Sequence, residues 1–213
     1  MKGINTFTLK MIAVISMIID HAGKTFFPQC IIFPILGRIA FPIFAYTLVE
    51  GFFYTRNVKK YLVRLGFFML LSEIPFDLRR TGKLLEFGHQ NIFFTLFLGL
   101  LTLALIVKTT SLSKQFLIAA ISLFLSRLLY VDYGSMGIMM ILLFYYFRDK
   151  KKEQFLSIGL LNMLMAGTVQ MFSMFAFIPI ALHNGKQGPK AKWFFYAFYP
   201  AHLLVIYLIK SIS

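Results

Sequence analysis

Residues 11–27 read MIAVISMIIDHAGKTFF, an apolar run that contains two adjacent ionisable residues, Asp20 and His21. Such a run suits a helix in lipid, where an ionisable side chain is costly and faces a bundle interior or a water-filled cavity. The stretch therefore predicts a membrane helix with buried polar groups. Lys2 and Lys10 precede it as in a signal peptide, but the ionisable pair interrupts the run and no A-x-A site follows, so we expect an uncleaved helix.

The whole chain has the same apolar character. Of its 213 residues, 59% are hydrophobic and 14% are charged, against roughly 45–50% and 25% in soluble domains. No long polar block interrupts the chain, so we expect an all-α bundle of membrane helices in one domain, residues 1–213. Cutting at charges, Pro and Gly gives about nine candidate spans. They cover about residues 7–27, 34–54, 58–75, 91–107, 115–131, 135–147, 154–166, 168–183 and 193–210.

The distribution of positive charge predicts the orientation. With the N-terminus in the cytoplasm, most of the 22 lysines and arginines lie in cytoplasmic segments, as the positive-inside rule requires. The net charge of +14 is then explained by topology, and nucleic-acid binding is not needed to account for it. The residues assigned to the inner side are Lys2, Lys10, Arg56, Lys59, Lys60, Arg64, Lys108, Lys114, Arg148, Lys150, Lys151, Lys152, Lys186, Lys190 and Lys192.

The rarer polar groups do not scatter evenly in this topology, and a set of them falls near the outer leaflet. Because ionisable groups inside a membrane usually pair or work in a cavity, we expect them to converge on one pocket. Its predicted members are Asp20, His21, Arg38, Glu73, Asp77, His89, Asn91, Asp132 and Tyr133. Asp20 and Arg38 have an alternative interpretation as a structural ion pair, and for Glu73, Asp77, Arg79 and Arg80 we favour a solvated loop.

His21 is the predicted catalytic group of this pocket. A histidine can take a proton near neutral pH, and a nearby carboxylate would orient it and raise its basicity. Adjacent helical residues point about 100° apart, so we expect Asp20 to serve a partner such as Arg38 while another carboxylate orients His21. His202 follows Pro200 in the last predicted helix and is either a core residue that stabilises a kink or a member of the site.

The chain resembles the TraX family, which is named for a protein implicated in N-terminal acetylation of conjugative pilin. The resemblance is carried by six blocks in order: LKMIAVISMIIDHAG, LGRIAFPIFAYTLVEGFFYTRNVKKYLVRL, LSEIPFDL, NIFFTLFLGLL, VDYGSMGIMMILLFYYF and HNGKQGPKAKWFFYAFYPAHLLVIYL. The resemblance implies a multi-pass acetyltransferase of the bacterial cytoplasmic membrane. Its partners would be acetyl-CoA, membrane lipids and an acceptor that is a membrane-inserted peptide, a lipid or an envelope sugar.

A more distant likeness is to the acyltransferase-three family and to heparan-α-glucosaminide N-acetyltransferase. In the acyltransferase-three proteins the first helix bears an arginine and, eleven positions later, an essential histidine. Lys10 and His21 have this spacing here, which corresponds to roughly 16 Å along a helix. Lysine keeps the charge of arginine but lacks its bidentate fork, so the carry-over of a CoA-phosphate role to Lys10 is weaker than that of a base to His21.

The likeness implies that acetyl-CoA rests its nucleotide on cytoplasmic cations while its thioester reaches His21. The predicted cofactor-binding residues are Lys10, Arg56, Lys59, Lys60, Arg64, Lys186, Lys190 and Lys192. The segment HNGKQGP, residues 183–189, is a weak candidate for a phosphate loop. Direct transfer with His21 as base and a two-step route through an acetylated His21 are both open. Arg38, Asn91 or Tyr133 would stabilise the oxyanion.

A transporter or channel is the competing class. Asp20, His21, Arg38, Glu73 and His202 would then form a proton relay. The sequence shows no internal repeat of the kind many transporters have, which lowers this reading. Glu50 is predicted to pair with Arg56 or Lys59, far from His21. No cluster has the spacing of a metal site, and Cys30, the one cysteine, excludes an internal disulfide.

Overall fold

A computed structural model describes residues 3–164 and 168–212, and all its regular elements are helices. The expected all-α class is therefore confirmed. Within the described residues, extended pairing is limited to two isolated bridges, Ile4 with His183 and Gln90 with Val131. The helices are α1 (Thr6–Phe26), α2 (Ile32–Gly37), α3 (Ala40–Tyr54), α4 (Val58–Leu71), α5 (Glu73–Thr81), α6 (Ile92–Ile106), α7 (Leu112–Leu128), α8 (Gly134–Tyr146), α9 (Lys151–Met163), a 3₁₀ helix (Val169–Ala176), α10 (Phe177–Ala181) and α11 (Lys192–Ile212).

Three helical segments of the described chain are long and apolar enough to cross a membrane: Thr6–Phe26, Ile32–Tyr54 and Lys192–Ile212. Shorter apolar segments are Ile92–Ile106, Gly134–Tyr146 and Val169–Ala181. The structure thus supports three full-length spans and leaves the other predicted spans as shorter helices. Lys2 and the last two residues of the predicted span 154–166 lie outside the described residues.

Local chemistry sets the helix boundaries. Asn5, Asn57 and Asn91 precede α1, α4 and α6, and the side-chain oxygen of each accepts a backbone N–H of the first turn. Each asparagine satisfies a donor that the helix itself cannot pair. The predicted span 58–75 splits at Ser72, after which α5 begins a separate amphipathic helix that ends at Gly82 in a left-handed conformation, φ 75°.

The helices pack in two groups that share α3 and α6. On one side α1 contacts α2, α3 and α11, and α11 also contacts α4 and α5. On the other side α6, α7 and α8 contact one another, and α9 packs on α8. Between α6 and α7, the Thr102 hydroxyl donates to Ser122 Oγ across 2.7 Å, a polar contact of the kind that joins helices in apolar surroundings.

The close approach of α2 to α1 positions the first polar residues. Gly37 has no side chain, and a Cβ there would lie 2.2 Å from Cβ of Asp20. Nearby, Ser16 Oγ donates to the Leu36 carbonyl across 2.6 Å. Only a glycine permits this contact, and it brings the next residue, Arg38, beside Asp20.

Candidate functional site

A cavity of about 370 Å³ lies where α1 ends and α6 and α8 begin. We call it the small cavity. Met17, Phe41, Phe44 and Phe76 supply an apolar wall. Its ionisable and tyrosine lining residues are Asp20, His21, Lys24, Arg38, Arg79, Arg80, His89, Asp132, Tyr133, Tyr199 and Lys210. Asp20, His21, Arg38, His89, Asp132 and Tyr133, which the sequence assigned to one pocket, are therefore brought together.

Asp20 is the centre of an ion-pair network. Its Oδ1 accepts from Arg38 Nη2 across 2.9 Å, and its Oδ2 accepts from Lys24 Nζ across 2.8 Å. Arg38 also donates through Nε to the Pro34 carbonyl and through Nη1 to Gln170 Oε1. The carboxylate and the guanidinium are both nearly buried, and a buried pair is stable only when such further hydrogen bonds satisfy it. These contacts hold α1, α2 and the 3₁₀ helix together.

His21 is oriented by a second histidine. Its Nδ1 lies 2.8 Å from Nε2 of His202, and Nδ1 of His202 lies 2.9 Å from the carbonyl oxygen of Phe198. A carbonyl only accepts, so Nδ1 of His202 carries a hydrogen. In a neutral ring Nε2 of His202 is then an acceptor, and Nδ1 of His21 must donate to it.

This chain of hydrogen bonds leaves Nε2 of a neutral His21 with a free lone pair. Nε2 lies 4.0 Å from Oδ2 of Asp20, so a proton taken up there would face a carboxylate. The orienting group is thus His202, and the expectation that a second carboxylate orients His21 is wrong. The predicted pairing of Asp20 with Arg38 is confirmed by the 2.9 Å contact.

Three residues predicted for the pocket serve the backbone and do not line the small cavity. Asn91 caps α6, and its side-chain amide donates to the Met69 carbonyl and to Glu73 Oε2. Both amide hydrogens are used, so Asn91 is not available as an oxyanion donor, and that assignment is wrong. Asp77 is fully buried, and its Oδ2 accepts the Glu86 N–H across 2.7 Å. Its role, like that of Glu73, is to hold α5 and the segment after it.

Burial changes the protonation of these two acids on α5. It raises the pKa of Glu73 to about 7, while the hydrogen bond from Asn91 opposes the shift. It also raises the pKa of Asp77 above the ordinary range of an aspartate. One oxygen of each acid, Oε1 of Glu73 and Oδ1 of Asp77, is buried without a hydrogen-bond partner.

Arg79 is a cavity residue that the sequence analysis missed. Residues 73–80 were expected to form a solvated loop, but α5 packs against α11 and α4 and turns Arg79 into the small cavity. Its Nε is buried and has no hydrogen-bond partner. The three-residue spacing of Phe76 and Arg79, which puts both on one helix face, was the available signal.

A larger cavity, about 940 Å³, lies toward the opposite end of the bundle, where α1, α4 and α11 begin. We call it the large cavity. Among the predicted cofactor-binding residues, Lys10, Arg56, Arg64, Lys190 and Lys192 line it. The two cavities adjoin, because the same residues border both: Met17, Phe44, Ile92 and Tyr199.

Lys59, Lys60 and Lys186 do not line the large cavity, contrary to their prediction as cofactor ligands. All three are exposed. Lys59 and Lys60 lie on the first turn of α4, whose inward face carries Tyr61 and Arg64 instead. These three lysines are therefore solvated surface charges.

The segment 183–189, predicted as a weak candidate for a phosphate loop, caps α1 through its backbone carbonyls. The carbonyls of Lys186 and Gln187 accept the N–H groups of Thr6 and Phe7, at 2.8 and 3.1 Å. Gly188 has φ 71°, and a Cβ there would lie 2.6 Å from the Asn5 side chain. The first two N–H groups of α1 are therefore already used.

His183, in the same segment, makes hydrogen bonds to two helices. The sequence analysis did not predict this role. Its Nε2 lies 3.0 Å from Thr6 Oγ1 and its Nδ1 lies 3.0 Å from the Tyr46 hydroxyl. Burial lowers the pKa of His183. It joins the segment before α11 to α1 and α3.

Glu50 pairs with Arg148, and the predicted pairing with Arg56 or Lys59 is wrong. Arg148 Nε donates to Glu50 Oε1 across 2.7 Å, and Nη2 donates to Oε2 across 3.2 Å. Two parallel bonds of this kind are the strong form of the ion pair, and the bond to Glu50 raises the pKa of Arg148. The pair ties α3 to the turn after α8.

Comparisons with known proteins agree with the six sequence blocks. The family model of the TraX protein matches residues 6–210. The probable fimbrial assembly protein FimC, serogroup H1, of Dichelobacter nodosus is 30% identical over 95% of this chain and 94% of its own length. An uncharacterized protein, RP591, of Rickettsia prowazekii (strain Madrid E) is 32% identical over 43% of this chain and 33% of its own length. No solved structure matches. The chain belongs to the TraX family.

Proposed function

We propose that this protein is an acetyltransferase embedded in the bacterial cytoplasmic membrane, which moves an acetyl group from acetyl-CoA to an acceptor amine. Its N-terminus lies in the cytoplasm and its helices cross the membrane several times. The three long apolar helices support membrane insertion. The positive-inside distribution supports the orientation. The distant likeness to the acyltransferase-three family stays a prediction.

The observation that carries the proposal is the pair of adjoining cavities. One is large and cationic, and the other contains the oriented histidine. The volume of the large cavity, about 940 Å³, is near the upper end of the roughly 300–1,000 Å³ that ligand pockets have. A long donor with a phosphate-bearing head and a thioester tail would therefore place its two ends in cavities of suitable chemistry.

Lys10, Arg56 and Arg64 would hold the phosphates of the donor. Lys10 lies 5.5 Å from the Phe195 ring centroid, one residue of the aromatic wall of the large cavity. Cations above aromatic rings at such a site favour an anionic, partly apolar ligand. The thioester would then reach the boundary of the two cavities, near Met17 and Tyr199.

His21 would act as the general base. The acceptor nitrogen attacks the acetyl carbonyl carbon and loses a proton to Nε2 of His21 as the C–N bond forms. The tetrahedral intermediate then expels CoA as its C–S bond breaks, and the proton on Nε2 passes to the leaving thiolate. The products are the acetylated acceptor and CoA.

The surrounding residues have separate roles in this step. Asp20 would stabilise the imidazolium, because it lies 4.0 Å from the nitrogen that takes the proton. His202 is a positioning residue, since it fixes the ring through the other nitrogen. Tyr133 or the free hydrogens of Arg38 would stabilise the oxyanion in place of Asn91.

The acceptor we favour is the amino terminus of a membrane-inserted peptide. The basis is the TraX resemblance together with the name of the Dichelobacter relative, a probable fimbrial assembly protein. A lipid or an envelope sugar that carries an amine or hydroxyl would meet the same groups. Fold alone does not choose among them.

A proton-coupled transporter is the second candidate. It is favoured by the fact that the adjoining cavities extend toward opposite ends of the bundle. The small cavity is lined by Asp20 and His21, and His21 is hydrogen-bonded to His202 behind it. Such a chain of groups is also what a proton pathway requires.

Binding and turnover measured on purified protein in detergent distinguish the acetyltransferase from the transporter. We expect wild-type protein to bind acetyl-CoA and to release CoA, and His21→Ala to bind acetyl-CoA with unchanged affinity but to release CoA about 10²–10⁴-fold more slowly. Absence of acetyl-CoA binding in a folded sample would overturn the acetyltransferase, and proton flux in liposomes would then test the transporter.

A further inference from the structure

The charges that line the small cavity do not balance. Of the lining residues the structure describes, Lys24, Arg38, Arg79 and Arg80 supply positive charge, whereas Asp20 and Asp132 supply negative charge. Asp20 is already shared by Lys24 and Arg38. Asp132 lies beside His89, at 3.3 Å.

Arg79 is a half-buried cation that this arrangement leaves without a carboxylate, whereas the neighbouring Arg80 is exposed. No carboxylate of the described residues lies within 4.0 Å of its guanidinium. Its Nε is buried and has no hydrogen-bond partner. Arg79 is half-buried, and a partly desolvated charge without a partner is costly. A guanidinium is the side chain best suited to take a carboxylate through two parallel hydrogen bonds. Arg79 and His21 line the same cavity.

An amine acceptor would add to the positive charge of this cavity. An ammonium group repels Lys24, Arg38 and Arg79, so an acceptor without an acidic group would enter with no compensation. A carboxylate near the amine would pair with Arg79 and leave the amine on the side of His21. The apolar wall of Phe41, Phe44 and Phe76 would receive the uncharged part of the molecule.

We infer that the acceptor is a peptide that carries an acidic side chain next to its reactive amino terminus, and that Arg79 binds this carboxylate. The inference deepens the proposed function and rests on it for the nature of the amine. Arg79 is a specificity-determining residue in this assignment, distinct from the base His21.

Direct binding tests the inference without requiring turnover. Two tetrapeptide amides, Ala-Glu-Ala-Ala and its isostere Ala-Gln-Ala-Ala, are labelled at the C-terminus and titrated with wild-type protein in detergent, without acetyl-CoA. We expect the acidic peptide to bind about tenfold more tightly, which is the effect of about 1.4 kcal/mol. Arg79→Gln should remove this preference, and Arg79→Lys should keep part of it.

Arg127→Gln is the matched control, because Arg127 is an exposed arginine near the same end of the bundle that does not line the cavity. It should leave the preference unchanged. A variant with reversed charge, Arg79→Glu, should bind Ala-Lys-Ala-Ala more tightly than Ala-Glu-Ala-Ala. A misfolded protein would not show this preference.

Equal binding of the acidic and neutral peptides, or an undiminished preference in Arg79→Gln, would overturn the inference. Glucosamine 6-phosphate is a further arm: if it binds in an Arg79-dependent manner and the acidic peptide does not, the peptide acceptor is wrong. CoA release from acetyl-CoA is measured on the same samples. A peptide preference without CoA release would leave the acidic ligand standing and would overturn the acetyltransferase.

Discussion

The two cavities share a boundary but are built in opposite ways. In the small cavity Asp20 is held by Lys24 and Arg38, and His21 by His202. In the large cavity Lys10, Arg56 and Lys190 make no ion pair with the described residues, and the acid of that cavity, Glu50, is taken by Arg148 outside it. Fixed groups suit chemistry, which needs defined geometry. Cations without acidic partners suit the binding of an anion from solution.

This comparison also marks Arg79 as an exception. It lies in the cavity of fixed groups but lacks a carboxylate partner there, as the cations of the large cavity do. We call side chains held by ion pairs or hydrogen bonds fixed, and cations without an acidic partner available. If this contrast is functional, replacing fixed residues should affect the reaction rate or folding, and replacing available cations should affect ligand binding.

The largest expected effect is at His21. Replacing it with alanine should lower acetyl transfer by about 10²–10⁴-fold, which is the contribution of a general base, while acetyl-CoA binding remains. His202→Ala should lower kcat less and leave the KM for acetyl-CoA unchanged, because it removes orientation only. Steady-state CoA release measures both. Unchanged turnover in His21→Ala would remove this residue from the mechanism.

Breaking the Asp20 ion pairs should have the next largest effect, which is a loss of folding stability. Asp20→Ala leaves Arg38 nearly buried without its carboxylate, which should cost about 3–5 kcal/mol. Lys24→Ala should cost much less, because the Lys24 side chain is 43% exposed and solvent screens its pairing. Denaturant unfolding in a suitable detergent compares them. Equal losses would show that the Asp20–Arg38 contact is not the dominant one.

The available cations should affect donor binding. Arg64→Glu should raise the KM for acetyl-CoA about tenfold, equivalent to about 1.4 kcal/mol, with little change in kcat, because the contact is remote from the thioester. Lys59→Glu on the same helix is the matched control: it makes the same charge change at an exposed position outside the cavity. A similar KM increase in both variants would mean that overall charge, and not the large cavity, attracts the donor.

The smallest effect expected is a pH dependence of stability from Glu73, because this residue is partly exposed and solvent screens its contribution. Burial raises the pKa of Glu73 to about 7, above its ordinary 4.5. Between these values the folded state binds more protons than the unfolded state, so stability should fall as pH rises from about 4.5 to 7 and level off above. Thermal unfolding across this range measures it.

Glu73→Gln is the control for that dependence. The variant should lessen the slope without removing it, because burial also raises the pKa of Asp77 and gives a contribution of the same sign. An identical slope in the wild type and the variant would assign the pH dependence to other groups.

The sequence by itself determined the helical class, the membrane character and the family. It also placed Asp20, His21, Arg38, His89, Asp132 and Tyr133 together, because continuous apolar runs fix the depth of an ionisable group along each helix. The depth of a residue along its helix does not determine the direction in which its side chain points. Asn91 and Asp77 lie near the same end but serve backbone N–H and carbonyl groups, which the apolar periodicity could not reveal.

Only the tertiary structure decided the partners. The bond between His21 and His202 joins residues 181 positions apart, and the pairing of Glu50 with Arg148 spans 98 positions. Arg79 enters the cavity because α5 turns away from α4 at Ser72 and packs on α11. Side-chain direction depends on how helices cross, and crossing depends on close contacts such as that of Gly37 with Asp20. These contacts are properties of the packed bundle and not of any single segment.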